Sequence, residues 1–368
     1  MSAKTFTIVT TTINIPYLLE DYIKDAIRFN RNLSQIIVVG DKKTPDETGV
    51  FCERLKRQYG VDCLYVSPAM QESVLSRCEA FRDFLPWNCI QRRNVGLVLA
   101  YEGSSDIVVT IDDDNFLCQS DYLGHHGHVG QHITVEAVSS QTGWWNVCEM
   151  LEEEHNIRFY HRGHPLSKRW LSDEVFQATN TITGRIVVNA GLWLDDPDVD
   201  ALTRLFVPVR VTKTSACYKD TIACDKGTWA PFNSQNTAIM REAIPAYLLF
   251  PHVGRYDDIW ASYVLRHIAE HLGDIITYGG PLVRQKRNPH NYFKDFDAER
   301  FGLEYNDVFL ETLCCCKLSA NTYKGAYSEI AAQFPEKIVV VCDNKKIDFN
   351  SFNELSKGLK LWTEVFKS

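Results

Sequence analysis

The sequence predicts an α/β fold with a mostly parallel central sheet flanked by helices. Three observations predict it. Short β-branched runs alternate with segments of helical period through the first third of the chain. The run Ile107-Val108-Val109-Thr110-Ile111 is apolar on both faces, as strands buried in parallel sheets are. It ends abruptly in Asp112-Asp113-Asp114-Asn115, at the strand end where ligands gather in open α/β sheets.

Residues 6–12 read as the first strand, stopped by Asn14 and Pro16. Leu19, Tyr22, Ile23, Ala26 and Ile27 then recur with the spacing of one helical face. A second strand over 36–39 closes on Gly40-Asp41 and a polar turn through Pro45. A helix over 48–59, a strand over 63–66 and a helix over 89–101 follow, the last with Ile90, Val95, Val98 and Leu99 inward. Residues 121–298 are rich in Trp, His, Arg, Gly and Pro and poor in periodicity, which predicts loops and short elements building a site on a rigid sheet. The tail predicts a strand over 337–342, a polar turn and a helix over 351–366. With no repeat and no low-complexity linker, the expected division is a catalytic domain over 1–300 and an α/β appendage over 301–368 packed on it.

At 368 residues, with 45% hydrophobic and 23% charged residues, the chain has the composition of a soluble globular protein. A net charge of −8 argues against a phosphate-tracking nucleic-acid surface. The opening residues run almost directly into a strand without the pattern of a secretory leader, and no apolar run approaches the roughly 20 residues of a membrane span. The 12 cysteines are dispersed and lack Cys-x-x-Cys pairs. The consecutive Cys314-Cys315-Cys316 suits neither an unstrained disulfide nor a tetrahedral metal site. Reduced thiols in a cytoplasmic protein, free or peripheral to a membrane, are the expectation. Neither G-x-G-x-x-G after the first strand nor G-x-x-x-x-G-K-[ST] is present, which argues against dinucleotide dehydrogenases and P-loop enzymes.

Three adjacent carboxylates repel one another, so Asp112, Asp113 and Asp114 call for a cation or for full solvation. A divalent metal carrying a nucleotide diphosphate meets the first condition; a solvated acidic turn meets the second. An acid-ended strand without a phosphate-binding glycine loop resembles the GT-A (Rossmann-like) glycosyltransferase fold. Thr110-Ile111-Asp112-Asp113-Asp114 resembles the acidic motif of the reversibly glycosylated polypeptides, the plant UDP-arabinopyranose mutase family. Four further segments resemble that family in order: residues 162–169 with an arginine at each end, Gly191-Leu192-Trp193-Leu194 with Pro197, Asp198 and Asp200, Lys226-Gly227-Thr228 with Pro231 and Asn236, and Gly254-Arg255-Tyr256-Asp257-Asp258-Ile259-Trp260-Ala261. The likeness covers roughly residues 90–295. Residues 38–45 are more similar to the STELLO-type glycosyltransferase group, which marks a distant member.

The resemblance implies a metal-dependent glycosyltransferase that uses a nucleotide-sugar donor, UDP-linked, with a carbohydrate or glycoconjugate acceptor. The alternatives are a mutase interconverting pyranose and furanose rings of a UDP-sugar, and a non-catalytic family member. Complexes formed by the relatives imply a homo-oligomer. Asp112 and Asp114 are the expected ligands of Mn²⁺ or Mg²⁺, and Asp112 and Asp113 also face the donor. Zinc lacks three soft or imidazole ligands here. A late metal ligand is expected at His290, although the family's own histidine falls where this chain has Arg284-Gln285-Lys286. Arg162 and Arg169 match arginines needed for activity in the family, one of them tied to reversible self-glycosylation, and are expected to neutralise phosphate or leaving-group charge.

Other assignments rest on residue chemistry, each against a plainer reading. Arg93, beside Arg92 and Asn94, is expected at the diphosphate or on an exposed helix face. Thr10, Thr11 and Thr12 line a nucleobase pocket or simply favour a strand. Asp41 is expected on the base or ribose. Asp257 and Asp258 orient acceptor hydroxyls, one as general base, or cap the helix expected over 259–271. Trp193 and Trp260 stack on a sugar or fill the core. His125, His126 and His128 are close in sequence but do not follow a known ligand spacing.

Overall fold

The computed structural model describes residues 4–171, 180–287, 291–342 and 349–367. Four parallel strands, β1 (Thr5–Thr11), β2 (Asn32–Val39), β3 (Asp62–Val66) and β4 (Ile107–Thr110), lie in the order β3-β2-β1-β4. Parallel neighbours need long crossovers, and the helices α1 (Leu19–Arg28) and α2 (Glu47–Tyr59) supply the first two. In α1, Leu19, Tyr22, Ile23 and Ala26 face the sheet, while Ile27, expected on that face, is 54% exposed. Ile90 also departs from expectation. It lies in the 3-10 turn Ile90–Arg92 and is partly exposed, because the α-helix begins only at Arg93.

The helix Arg93–Glu102 packs closely on β1 and β2 through Gly96. A β-carbon there would stand 2.6 Å from Val9 Cγ1 and 2.8 Å from Val39 Cγ2. This approach brings the first turn of the helix to the carboxyl ends of β1 and β4.

Beyond β4 the sheet, 12-stranded among the described residues, becomes mixed. Thr237–Met240 runs antiparallel to β4, followed by Asn180–Asp195, His132–Val138, Thr221–Cys224, Ile275–Gln285 and Asn115–Leu117. The middle third is therefore more regular than its sequence predicts. It holds a 16-residue strand, Asn180–Asp195, an 11-residue strand, Ile275–Gln285, and a 16-residue helix, Asp257–Leu272. Val187 to Leu194 are all buried, so alternation, the usual strand signal, is missing. The strand Ile275–Gln285 pairs in parallel with Asn180–Asp195 and antiparallel with Asn115–Leu117, which sets Gln285 opposite Asn115.

Among the described residues the C-terminal region is helical, correcting the strand content expected of the appendage over 301–368. The helix Tyr292–Cys315 runs through residue 300, and Tyr323–Cys342 and Phe349–Val365 follow. Residues 337–342 belong to a helix despite their β-branched content. Phe334, Ile338 and Val341 face inward at helical spacing while Val339 and Val340 are exposed. Trp260 stacks on Phe309 with ring centroids 4.3 Å apart, and its indole N–H donates to Asn306 Oδ1 at 2.9 Å. It is a core residue rather than a sugar platform. No helix among the described residues is long and apolar enough to cross a membrane.

Gly96→Ala is expected to lower unfolding free energy by about 1–3 kcal/mol in urea melts, the usual range for overpacking a tight core. Unchanged stability would show that this contact has slack.

Candidate active site

The acidic strand end separates two adjoining cavities. The smaller, about 240 Å³, is lined by Thr11, Thr12, Asp41, Cys89, Asp112 and Asp113 among others. The larger, about 440 Å³, is lined by Gln91, Arg162, Gln235, Asp257, Gln285 and Arg287 among others. Asp112 and Asp114 border both.

The turn after β4 is built locally. The Asp112 N–H donates to Asn115 Oδ1 at 2.9 Å, and Tyr22 Oη donates to the Asn115 carbonyl at 2.8 Å. The three carboxylates then diverge. Asp112 Oδ1 receives Arg93 Nη2 at 2.5 Å, and its Oδ2 receives the Gln235 amide. Asp113 Oδ2 accepts from Thr12 Oγ1 at 2.6 Å. Asp114 lies toward Gln285 and Arg287, which both act to lower its pKa. Burial, followed by Asp112 and Asp113, outweighs them and pushes the Asp114 carboxyl up to about 7. Burial also raises Asp113. This is a site short of positive charge.

Among the described residues no three His, Cys, Asp or Glu side chains converge on one point suited to a metal ion. The donor set fits a cation that keeps waters and shares its shell with phosphate, since Mg²⁺ sites commonly need only one or two carboxylates. Asp112 and Asp114 are the two that qualify. Asp113 is turned to the end of β1, and His290 lies outside the described residues. His126 is buried between Asn236 and Asn189, and burial pushes its imidazole down to about 3. His128 pairs with Thr277 at 3.2 Å. His126 and His128 are structural.

Several predicted donor residues meet at the smaller cavity. Thr11, Thr12 and Asp41 line it, with Asp41 held by the N–H groups of Lys42 at 2.6 Å and Cys89 at 3.1 Å. Thr10 is fully buried and lies outside the lining. Arg93 lines neither cavity. It is fully buried, donating to the Ser234 carbonyl at 2.8 Å and Oγ at 2.7 Å as well as to Asp112, so it braces the acidic turn from behind. The exposed-face reading is thereby corrected. Trp193 is also fully buried, next to His161, and lines neither of the two cavities.

On the other side, Arg162 spans Asp198 with two 2.9 Å bonds and reaches Asp258 at 3.1 Å, while its third nitrogen donates to the Arg255 carbonyl. Arg169 does not enter the cleft. It is buried against Asp200 and the His164 carbonyl. Asp258 accepts from the Ser234 N–H at 2.9 Å and its hydroxyl at 3.0 Å. Asp257 accepts from Gln91 Nε2 at 2.8 Å. Burial, followed by Asp258, pushes the Asp257 carboxyl up to about 7. Neither acid caps the helix through its side chain, although both lie in its first turn, where the helix dipole favours negative charge.

The sequence reading missed Gln91, Ser234, Gln235, Gln285, Arg287 and the role of Asp198. Asp198 lies inside a segment singled out for its likeness, and that was the available signal. The amides carry none, because glutamine is common on surfaces and acts here only through tertiary placement.

Over residues 36–368 the chain matches the family described as reversibly glycosylated polypeptide. UDP-arabinopyranose mutase 1 of Arabidopsis thaliana is 27% identical over 268 residues, covering 70% of this chain and 68% of the relative. UDP-arabinopyranose mutase 1 of Oryza sativa subsp. japonica is 26% identical over 269 residues, 70% and 67% of the two chains. Among solved structures, glucosyl-3-phosphoglycerate synthase of Mycobacterium tuberculosis, in complex with Mn²⁺, UDP and phosphoglyceric acid, aligns with TM-score 0.41 and 15% identity over 86% of this chain and 80% of that one. A mannosyltransferase of Pyrobaculum calidifontis in complex with GDP-Man and Mn²⁺ aligns with TM-score 0.40 and 11% identity over 99% and 86%.

Two measurements probe this geometry. Arg162→Gln leaves Asp198 buried without its main partner and is expected to lose about 3–5 kcal/mol in urea unfolding. Adding Asp198→Asn should restore part of that loss, and strict additivity of the two changes would refute the coupling. The second concerns Asp257, whose carboxyl is raised in the fold from 3.8 to about 7. Its stabilising contribution is complete below pH 3.8 and is lost as pH rises through 7. The melting temperature of Asp257→Asn should therefore gain on wild type as pH climbs from about 4 to about 8. A constant gap would rule out the raised carboxyl.

Proposed function

The chain belongs to the reversibly glycosylated polypeptide family, and from that premise we propose that it is a metal-dependent enzyme of nucleotide sugars that transfers the glycosyl group of a UDP-sugar. One observation carries the proposal: the acidic strand end stands between a smaller cavity and a larger one, and Asp112 and Asp114 border both. A nucleoside in the smaller lobe would set its diphosphate at these two carboxylates and its sugar in the larger lobe.

The roles follow from where each side chain stands. Thr11, Thr12 and Asp41 offer hydroxyl, backbone and carboxylate groups to the base and ribose. Asp112 and Asp114 would hold Mn²⁺ or Mg²⁺. A bound ion would supply Lewis-acid stabilisation of the leaving diphosphate. Asp257 has no cation paired with it among the described residues, which suits it to exchange a proton with a sugar hydroxyl. Asp258 is engaged by Arg162 and Ser234, which suits it to hold the cleft wall. Burial opposes the charge on Arg162, but Asp198 and Asp258 outweigh it and hold the proton tightly. That favours a fixed cation over a nucleophile in self-glycosylation, which would need a deprotonated nitrogen.

The larger cavity beside Asp257 and Asp258 has room for more than the donor's sugar, which favours transfer to a carbohydrate or glycoconjugate acceptor. The second reading, a pyranose–furanose mutase, draws its support from the relatives bearing that name. Both use the same donor half.

Incubation with a panel of UDP-sugars and Mn²⁺, following ring isomers, free UDP and protein-bound sugar, separates the two. Acceptor-dependent UDP release is the expected result; isomerisation without acceptor would replace it with the mutase. Asp114→Ala is expected to abolish metal-dependent UDP-sugar binding while the fold survives. Undiminished affinity in that variant would remove Asp114 from the ligand set.

A further inference from the structure

The larger cavity contains a guanidinium whose hydrogen-bonding capacity is mostly unused. Arg287 follows the strand Ile275–Gln285 and its side chain is only 9% exposed. Among the described residues it makes a single side-chain hydrogen bond, from Nη2 to Asp198 Oδ1 at 3.3 Å, and its buried Nε has no partner. An arginine carries five N–H donors in a planar fork. Asp198 does little to satisfy them, because Arg162 takes both of its oxygens at 2.9 Å and Asn233 Nδ2 adds a third bond at 2.7 Å.

The other cavity arginines are better matched. Arg162 uses all three nitrogens. Arg255 pairs with Glu299 at 3.0 Å. Arg287 is thus a nearly buried cation in a cleft wall with donors to spare.

Its position is fixed by the sheet. The Lys286 N–H donates to the Asp114 carbonyl at 3.2 Å, and the Arg287 N–H donates to Asp196 Oδ2 at 3.2 Å. The guanidinium acts electrostatically on Asp114, the carboxylate that borders both lobes. Asp112 and Asp114 line both lobes, and Arg287 lines the larger one.

We propose that Arg287 is a binding residue for a phosphate-type anion at the junction of the two lobes, and that the distal phosphate of the nucleoside diphosphate is its ligand. Planar guanidinium forks match phosphate oxygens in pairs, which a hydrated point charge does not. The assignment rests on reading the cleft as a nucleotide-sugar site. It adds that this chain holds the diphosphate partly through its own cation, so recognition of the second phosphate survives removal of divalent metal.

The test compares UMP and UDP binding by calorimetry in EDTA, for wild type, Arg287→Gln and Arg287→Lys. Wild type is expected to prefer UDP by about tenfold or more, the scale of one charge-assisted hydrogen bond. In Arg287→Gln the preference should collapse to near unity with UMP affinity unchanged, and Arg287→Lys should fall between. A wild-type preference that survives in Arg287→Gln overturns the proposal, as does no preference in wild type. If Arg287→Gln loses UMP as well, Arg287→Lys decides: an undiminished preference there overturns the proposal. Inorganic phosphate added to the UDP-bound protein checks the source of the anion. Arg287-dependent phosphate binding with UDP already in place would assign the subsite to a second substrate instead. Failure of wild type to bind either nucleotide, with or without Mn²⁺, would refute the nucleotide-sugar reading itself; UMP binding without an Arg287 effect refutes only this inference.

Discussion

The site is organised by the difficulty of holding like charges together at the end of a buried strand. Asp112, Asp113 and Asp114 follow four fully buried residues of β4, and each takes a different direction to escape the others. From Asp112 a line of alternating partners runs through Arg93, Ser234, Asp258, Arg162 and Asp198 to Arg287, which returns to the neighbourhood of Asp114. Several of these groups are buried, where one unmatched charge is costly. The helix Arg93–Glu102, the loop over 233–236 and the start of the helix Asp257–Leu272 are thereby tied to the acidic turn. Of the four carboxyls that border the larger cavity, Asp112 and Asp258 take a bond from an arginine, and Asp114 and Asp257, which do not, are the two raised to about 7. Scaffold and chemistry divide along that line.

Neutral groups complete the arrangement. Gln91, Gln235 and Ser234 donate to Asp257, Asp112 and Asp258 without adding charge. Such donors fix an acid's orientation while leaving its ionisation responsive to a ligand, whereas a bidentate arginine, as at Asp198, commits it to structure.

How much of this was legible depended on whether the signal was local. Asp112–Asp114 stood out because they are contiguous and follow an apolar run, and β1 to β4 because their strand period and crossover helices are local patterns. Of the adjacent arginines, the sequence does not distinguish Arg93, which reaches Asp112, from Arg92, which packs over the Trp87 ring 3.3 Å from its centroid. Trp193 and Trp260 have the composition of a sugar platform, but tertiary packing buries both. Residues 337–342 show β-branched content overridden by helical burial. The C-terminal region lies within the family match, and its helices reach the core beneath the site: Trp362 is buried against Phe81 and donates to the Pro245 carbonyl at 3.0 Å.

The pairing of Ile275–Gln285 with Asn115–Leu117 has a consequence for how such a protein changes over time. Side chains alternate between the faces of a sheet, so inserting or deleting one residue just before Arg284 would move Arg284 or Lys286, respectively, into the place of Gln285 and redirect Arg287. Surface loops elsewhere tolerate changes in length. Here a single-codon indel would exchange an amide for a cation beside Asp114 in one event. Divergence among relatives at this strand end should therefore proceed by substitution at constant length, and a shift of register here would mark a change in what the cleft recognises.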